Sequence, residues 1–299
     1  MLLLAGPTAS GKSDLALRAA EAAGGEIVNA DAQQVYRHMD IGTAKPTPEE
    51  RSRVPHHLHD VADPWEWYDA GRFQGDADRA IADIAARGRL PVVVGGTGLY
   101  LRALLRGIAV VPAVPQEVRA RVLGTLDREG APALHARLRE VDPAAAARLH
   151  PNDAQRVGRA LEVWIATGRP LSSFQDAHRF GDERYPHAAF GVAWEAEALD
   201  RRIAARVDRM FDAGFLDEAR RLLDLGCPRE LRAFKALGYR EAFAVLDGVL
   251  PEPEARARVR TLHRRYAKRQ RTWFRREALT WVPGDRPGEA LDRLLAALP

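Results

Sequence analysis

The sequence predicts an α/β fold: a P-loop core with a mostly parallel sheet covered by helices, interrupted by an all-helical insertion. Three observations predict it. Short apolar runs rich in Val, Ile and Leu, at 2–5, 26–28, 91–94, 188–193 and 278–282, have the length of strands. Helical patterns separate several of them, the alternation expected of a parallel sheet covered on both faces. Between 111 and 183 no strand-like run occurs and helical stretches follow one another.

Taken in order, the run at 2–5 enters a Gly-rich loop, and Ser13–Ala23 reads as a helix closed by Gly24 and Gly25. The strand at 26–28 ends in Asp31, and a helix is expected over Ala70–Ala86. The strand at 91–94 ends in Gly95-Gly96-Thr97-Gly98. Pro112 and Pro115 mark entry to the insertion, whose helices are expected at 116–129, 132–140 and 153–166; "RFGDERYP" marks the exit. The strand at 188–193 follows, then one helix over Asp200–Leu225. In the basic stretch beyond it, Val259, Leu262, Tyr266 and Trp273 recur on one helical face. The expected divisions are 1–110, first part of the core; 111–183, the insertion; and 184–299, second part of the core with a basic C-terminal helix.

At 299 residues, 46% apolar and 29% charged, the chain has the balance of a soluble globular protein. Its single cysteine, Cys227, excludes an intramolecular disulfide and a multi-cysteine zinc site. No run approaches the roughly 18 apolar residues of a membrane helix. The first apolar run starts at Leu2 and enters the Gly-rich loop directly, so no presequence, a cytoplasmic location and no membrane partner are expected. A monomer is expected. The net charge of +4 is unevenly spread: ten of the residues from Arg256 to Arg276 are Lys or Arg and none is acidic, whereas the rest of the chain holds 35 basic against 41 acidic residues. Such a local excess suits a polyanion.

Gly6, Gly11, Lys12 and Ser13 satisfy G-x-x-x-x-G-K-[ST], with Pro7, Thr8, Ala9 and Ser10 between the glycines. A strand before and a helix after give the pattern its context. Backbone N–H groups of Gly6–Ser13 and the helix N-terminus would hold phosphate oxygens, with Lys12 adding an ammonium and the Ser13 hydroxyl placed to ligate Mg²⁺. Most nucleoside triphosphatases pair such a loop with an acid ending another buried strand. "PVVVGGTGLY" ends in no acid, and "EIVNAD" ends in Asp31, where small-molecule and nucleotide kinases can also place one. Two readings stay open on these residues: a kinase of a nucleotide or small metabolite, or an enzyme that uses the loop on a pyrophosphate leaving group. His56, His57 and His59 have no suitably spaced Cys and are read as core rather than as a metal site.

"GPTASGKS", "NADAQQVYRHMDIGTAKP", "VPHHLHD", "VVVGGTGLYLRALLRG", "HPNDAQRVGRALEV", "RIAARVDRMFDAGFLDEARRL", "KALGYRE" and "YAKRQRTWFR" occur in this order. Together they resemble the bacterial tRNA dimethylallyltransferases, over about residues 6–276. The resemblance implies transfer of a dimethylallyl group from dimethylallyl diphosphate to the exocyclic amine of the adenosine 3′ of the anticodon, with Mg²⁺ as cofactor and the tRNA anticodon stem-loop as partner. It implies that the loop holds the diphosphate of an isoprenoid donor. Lys12, Thr8 and Arg206 would stabilise the leaving diphosphate, with Arg202 one turn before Arg206, and Asp31 would accept the amine proton. Ala32 stands where the family commonly has Ser. The tRNA contacts implied are Asp31, Ala32, Gln33, Gln34, Thr97 and Arg119; Gln155, Arg156, Val157, Gly158 and Arg159; and Lys235, Ala236, Leu237, Gly238, Tyr239 and Arg240. Gln34 would read the adenine edge through a paired donor and acceptor.

Overall fold

The computed structural model describes residues 1–178 and 183–298, so part of the exit segment "RFGDERYP" lies outside the described residues. In chain order the elements are β1 Leu2–Ala5, α1 Lys12–Ala22, β2 Gly25–Asn29, α2 Pro48–Arg53, β3 His56–His57, α3 Ala70–Ala86, β4 Leu90–Gly95 and α4 Gly98–Arg106. Then come α5 Gln116–Val141, α6 Pro143–Arg148, α7 Ala154–Thr167 and α8 Leu171–His178. The chain ends with β5 Ala188–Ala193, α9 Ala196–Asp212, α10 Phe215–Asp224, α11 Tyr239–Leu246, α12 Glu252–Phe274, β6 Thr280–Pro283 and α13 Pro287–Ala296.

The strands form one sheet in the order β3-β2-β4-β1-β5-β6, and every neighbouring pair is parallel. β1 shows why the apolar runs do not alternate. Leu2, Leu3 and Leu4 are each at most 1% exposed, because helices cover both faces of the sheet. One cluster joins Leu2, Leu4, Val92, Val94, Phe190 and Val192 to Leu15, Ala16 and Ala19 of α1 and Leu294 of α13. In register, Ala5 pairs with Gly95 and Gly191, and Asn29 with Val94, so the segments after β1, β2, β4 and β5 all leave the sheet at one end. In an open parallel sheet this is the end where ligands bind.

The chain divides into two compact units, Met1–Leu105 with Arg184–Pro299, and Arg106–Glu183. The first holds the sheet. The second holds α5 to α8, with a separate core of Val122, Leu134, Leu138, Val157, Ala160 and Leu161. It starts where α4 ends, at Arg106 rather than at 111, so Pro112 and Pro115 lie inside it.

Three expectations about elements are corrected. The single helix over Asp200–Leu225 is two, α9 and α10, broken at Gly214 in the left-handed region (φ 94°). The stretches 116–129 and 132–140 run as one element, α5, kinked at Gly130, with Pro132 just beyond it. In α12 the buried line is Ala255, Val259, His263, Ala267, Gln270 and Phe274, with Leu262, Tyr266 and Trp273 half-buried beside it. The face is rotated from the expected one because two polar side chains, His263 and Gln270, take buried positions that apolar periodicity ignores.

Candidate active site

β1 delivers the chain to the loop Gly6–Gly11, and α1 starts at Lys12. Gly11 caps α1 from the left-handed region (φ 84°) with no side-chain hydrogen bond, so the first N–H groups of the helix are not held by a capping side chain. Ala9 also lies in the left-handed region (φ 63°), unusual without glycine. Side chains from three other elements or their ends hold this turn from outside. Arg202 Nε donates to the Ala9 carbonyl at 2.8 Å and Trp194 Nε1 to the Ser10 carbonyl at 2.8 Å. The Arg202 guanidinium lies 4.5 Å from the Trp194 ring centroid. The Thr8 N–H donates to Gln270 Oε1 at 2.8 Å.

Lys12 is half-buried, with Nζ 3.4 Å from the Pro7 carbonyl. Desolvation lowers its ammonium to about 8; the Asp31 charge acts the other way, and Arg206 lowers it further. Arg206 of α9 donates from Nη2 to the Thr43 carbonyl at 3.3 Å, while its Nε is buried without a partner. Burial lowers the Arg206 pKa, and Asp31 again opposes the shift. Lys12, Arg206 and Asp31 are therefore electrostatic neighbours. Two cations and an unpartnered guanidinium N–H in one place are arranged for an anion.

Asp31 follows β2. Its Oδ1 accepts the Gln33 N–H at 2.9 Å, closing an Asx turn, and Oδ2 has no hydrogen-bond partner among the described residues. Asn29 Oδ1 accepts the Asp31 N–H at 3.1 Å. The Ala32 N–H donates to Thr97 Oγ1 at 2.9 Å. Thr97 thus ties the loop after β2 to the turn between β4 and α4. A cavity of about 1570 Å³ is lined by this loop, by Thr8–Asp14, and by Arg206, Tyr266 and Gln270. It exceeds the roughly 300–1,000 Å³ usual for one small ligand.

The IPP transferase family model matches residues 34–277, and the isopentenyl transferase model matches residues 1–55. The chain belongs to the IPP transferase family. It is 52% identical, over 94% of its length and 91% of the relative's, to the tRNA dimethylallyltransferase of Geobacter sulfurreducens, and 51% identical, over 100% and 96%, to that of Geobacter metallireducens. Among solved structures it resembles the full-length tRNA isopentenylpyrophosphate transferase of Bacillus halodurans (38% identity, 99% of this chain and 95% of that one, TM-score 0.71). It also resembles a eukaryotic dimethylallyltransferase acting on tRNA (28% identity, 99% and 77%, TM-score 0.83).

The structure places the residues that the tRNA dimethylallyltransferase resemblance implied as follows. Gln34 Nε2 donates to the carbonyls of Thr43 (3.1 Å) and Ala44 (2.9 Å), so its donor is already used and the paired reading of an adenine edge is not available in this arrangement. Gln33 Oε1 is buried without a partner. Val157 and Gly158 are buried against α5 in the second unit's core, leaving Gln155, Arg156 and Arg159 toward solvent. The exposed Arg156 pairs with Asp153 at 2.7 Å and Arg159 with Glu162 at 3.4 Å, and Arg119 stands at the start of α5. In 235–240, Ala236, Gly238 and Tyr239 are buried, leaving Lys235, Leu237 and Arg240 accessible. Tyr239 is 0% exposed and donates its hydroxyl to Glu218 at 2.7 Å. Arg202 lines the same cavity as Arg206, with its Nε committed to the Ala9 carbonyl. His56 and His57 are held by the Val54 carbonyl and Glu26.

Sequence reasoning missed two residues that build the site. Buried Glu218 of α10 accepts the N–H groups of Asp40, Ile41 and Gly42 at 2.6–2.9 Å, fixing the segment whose Thr43 carbonyl meets Arg206. Gln270 of α12 joins the phosphate loop to the Gly96 carbonyl. Neither carries a local signal, since both bond to backbone groups.

Proposed function

We infer that this chain transfers a dimethylallyl group from dimethylallyl diphosphate to the exocyclic amine of the adenosine 3′ of the anticodon in tRNA, releasing diphosphate. One observation carries the reading: Lys12, Arg206 and Asp31 act on one another electrostatically at a cavity too large for a five-carbon diphosphate alone. Two cations hold the leaving group, a carboxylate faces the nucleophile, and the remaining volume admits a nucleobase taken out of its stack.

As the allylic C–O bond breaks, charge builds on the diphosphate, and the Lys12 ammonium, the Arg206 guanidinium, the Thr8 hydroxyl and the N-terminus of α1 stabilise it. The amine's lone pair is delocalised into the adenine ring. Asp31, with Oδ1 held by the Gln33 N–H, takes the proton as the new C–N bond forms. Among the described residues no group of three or more His, Cys, Asp or Glu could hold a metal by itself. Ser13, exposed at the start of α1, is the residue whose hydroxyl would hold Mg²⁺, an ion commonly held by few protein groups. Bound there, the ion would supply charge neutralisation for the diphosphate. Gln155, Arg156, Arg159, Arg119, Lys235 and Arg240 are the residues we assign to the anticodon stem-loop, and a monomer in the cytoplasm suits that substrate. No described helix is long and apolar enough to cross a membrane.

The test is transfer of label from dimethylallyl diphosphate, with Mg²⁺, to unmodified tRNA. Labelled tRNA and released diphosphate are expected. Consumption of ATP on a nucleotide or metabolite panel, with no label on tRNA, would leave the kinase reading in its place.

A further inference from the structure

Gln270 is 5% exposed on the inward face of α12, and both ends of its amide are engaged. Oε1 accepts the Thr8 N–H at 2.8 Å; Nε2 donates to the Gly96 carbonyl at 2.8 Å. A backbone N–H only donates and a carbonyl only accepts, so these partners fix which way the amide points. The contact at Gly96 is close, and a Cβ there would lie 2.4 Å from Nε2. The two partners follow adjacent parallel strands, β1 and β4, so one side chain sets the distance between the phosphate loop and the segment carrying Thr97.

The bond matters most for Thr8. Its N–H is committed to α12, which removes it from the donors available to a phosphate. Its side chain lines the cavity, and its hydroxyl has no protein partner among the described residues. The next residue, Ala9, sits in the left-handed region at φ 63°, a conformation that persists only where the surroundings over-determine it.

We propose that Gln270 is a positioning residue: by holding the Thr8 N–H and the Gly96 carbonyl together, it fixes the turn at Ala9 and aims the Thr8 hydroxyl at the diphosphate oxygen that leaves. This rests on the transferase reading above. Loss of the amide slows the chemical step without weakening donor binding. Lys12, Arg206 and the N-terminus of α1 remain, and the released Thr8 N–H becomes one more donor to phosphate.

Gln270→Met keeps the length of the side chain and removes both hydrogen bonds. Single-turnover transfer is expected to fall about 10²-fold, the scale of a misplacement near 1 Å, with no rise in KM for dimethylallyl diphosphate. In a Thr8→Val background the same change is expected to cost nothing further, because Gln270 acts through Thr8. Gln270→Glu supplies a second readout. Its protonated carboxyl can accept from Thr8 and donate to Gly96, whereas its carboxylate faces the Gly96 carbonyl. Burial raises the carboxyl pKa, so the rate relative to the unsubstituted protein is expected to climb as pH falls. Losses that add to Thr8→Val, or a Gln270→Glu rate ratio flat with pH, overturn the proposal. Should melting curves show Gln270→Met unfolded, the pH profile of Gln270→Glu decides. The unsubstituted protein is assayed alongside: no transfer by it removes the transferase reading, while full activity of a folded Gln270→Met removes only the role of Gln270.

Discussion

At the scale of single residues, Lys12 and Asp31 give the sharpest expectations. The Lys12 ammonium is lowered to about 8, so it is charged below that pH and loses its charge as pH rises through it. Affinity for pyrophosphate is therefore expected to decline above about pH 8 in the unsubstituted protein. Lys12→Arg, whose charge does not titrate in this range, is expected to lack that decline. Calorimetric titration of both proteins from pH 6.5 to 9.5 makes the comparison, and parallel curves would mean the ammonium does not meet the anion. For Asp31→Asn, the Gln33 N–H keeps an acceptor while the proton acceptor is lost. Single-turnover transfer is expected to fall by about 10²–10⁴, with both substrates bound nearly as before. If excess Mg²⁺ restores the rate, Asp31 is a metal ligand and not the base.

At the scale of elements, α12 divides into two electrostatic halves. Along its first half, Arg256 pairs with Asp212 and Glu252 at 2.8 and 2.7 Å, Arg258 with Glu254 at 2.6 Å, Arg260 with Asp208, and Arg264 with Asp200 at 3.6 Å. Most of those acids belong to α9, which packs on α12. From Arg265 to Arg276 no basic side chain has an ion-pair partner among the described residues, although Arg269 lies 5.5 Å from the Tyr266 ring centroid. The second half is where a phosphate backbone gains most, because nothing in the protein has to be given up. Replacing Arg269 and Arg271 together by Ala is expected to flatten the log–log salt dependence of tRNA binding by about 1–2, whereas Arg258 and Arg260 replaced together leave the slope unchanged. Filter binding at several salt concentrations measures both. Equal slopes for the two double variants would show that α12 only docks on the core.

At the scale of the whole molecule, the two compact units have separate apolar cores. Leu138 is 0% exposed in the core of α5 to α8. Leu138→Ala is expected to destabilise that unit by about 2–5 kcal/mol. Pyrophosphate binding should survive, because Lys12 and Arg206 stand in the other unit, while tRNA binding should weaken with the loss of order around Gln155, Arg156 and Arg159. Calorimetry for pyrophosphate and filter binding for tRNA separate the two. A parallel loss of both affinities would mean that the phosphate site depends on the helical unit.

Local patterns carried much of the fold and the chemistry of the site. β1, β2 and β4 were legible as apolar runs because strands covered on both faces are apolar throughout, and β5 and the edge strand β6 because each keeps a short apolar run. The loop Gly6–Ser13 was legible because its spacing alone turns backbone N–H groups and Lys12 toward one anion. β3, two residues long, left no periodicity to read. Tertiary structure decided which residues of a motif face a ligand: Val157, Gly158, Ala236 and Tyr239 lie within recognisable motifs yet point into cores. It also decided the supports. Gln270 meets Thr8 across 262 positions of sequence and Gly96 across 174, and Glu218 meets Gly42 across 176. A polar side chain that bonds to distant backbone leaves no pattern, because every residue but proline offers the same N–H and C=O, and only the folded chain chooses among them.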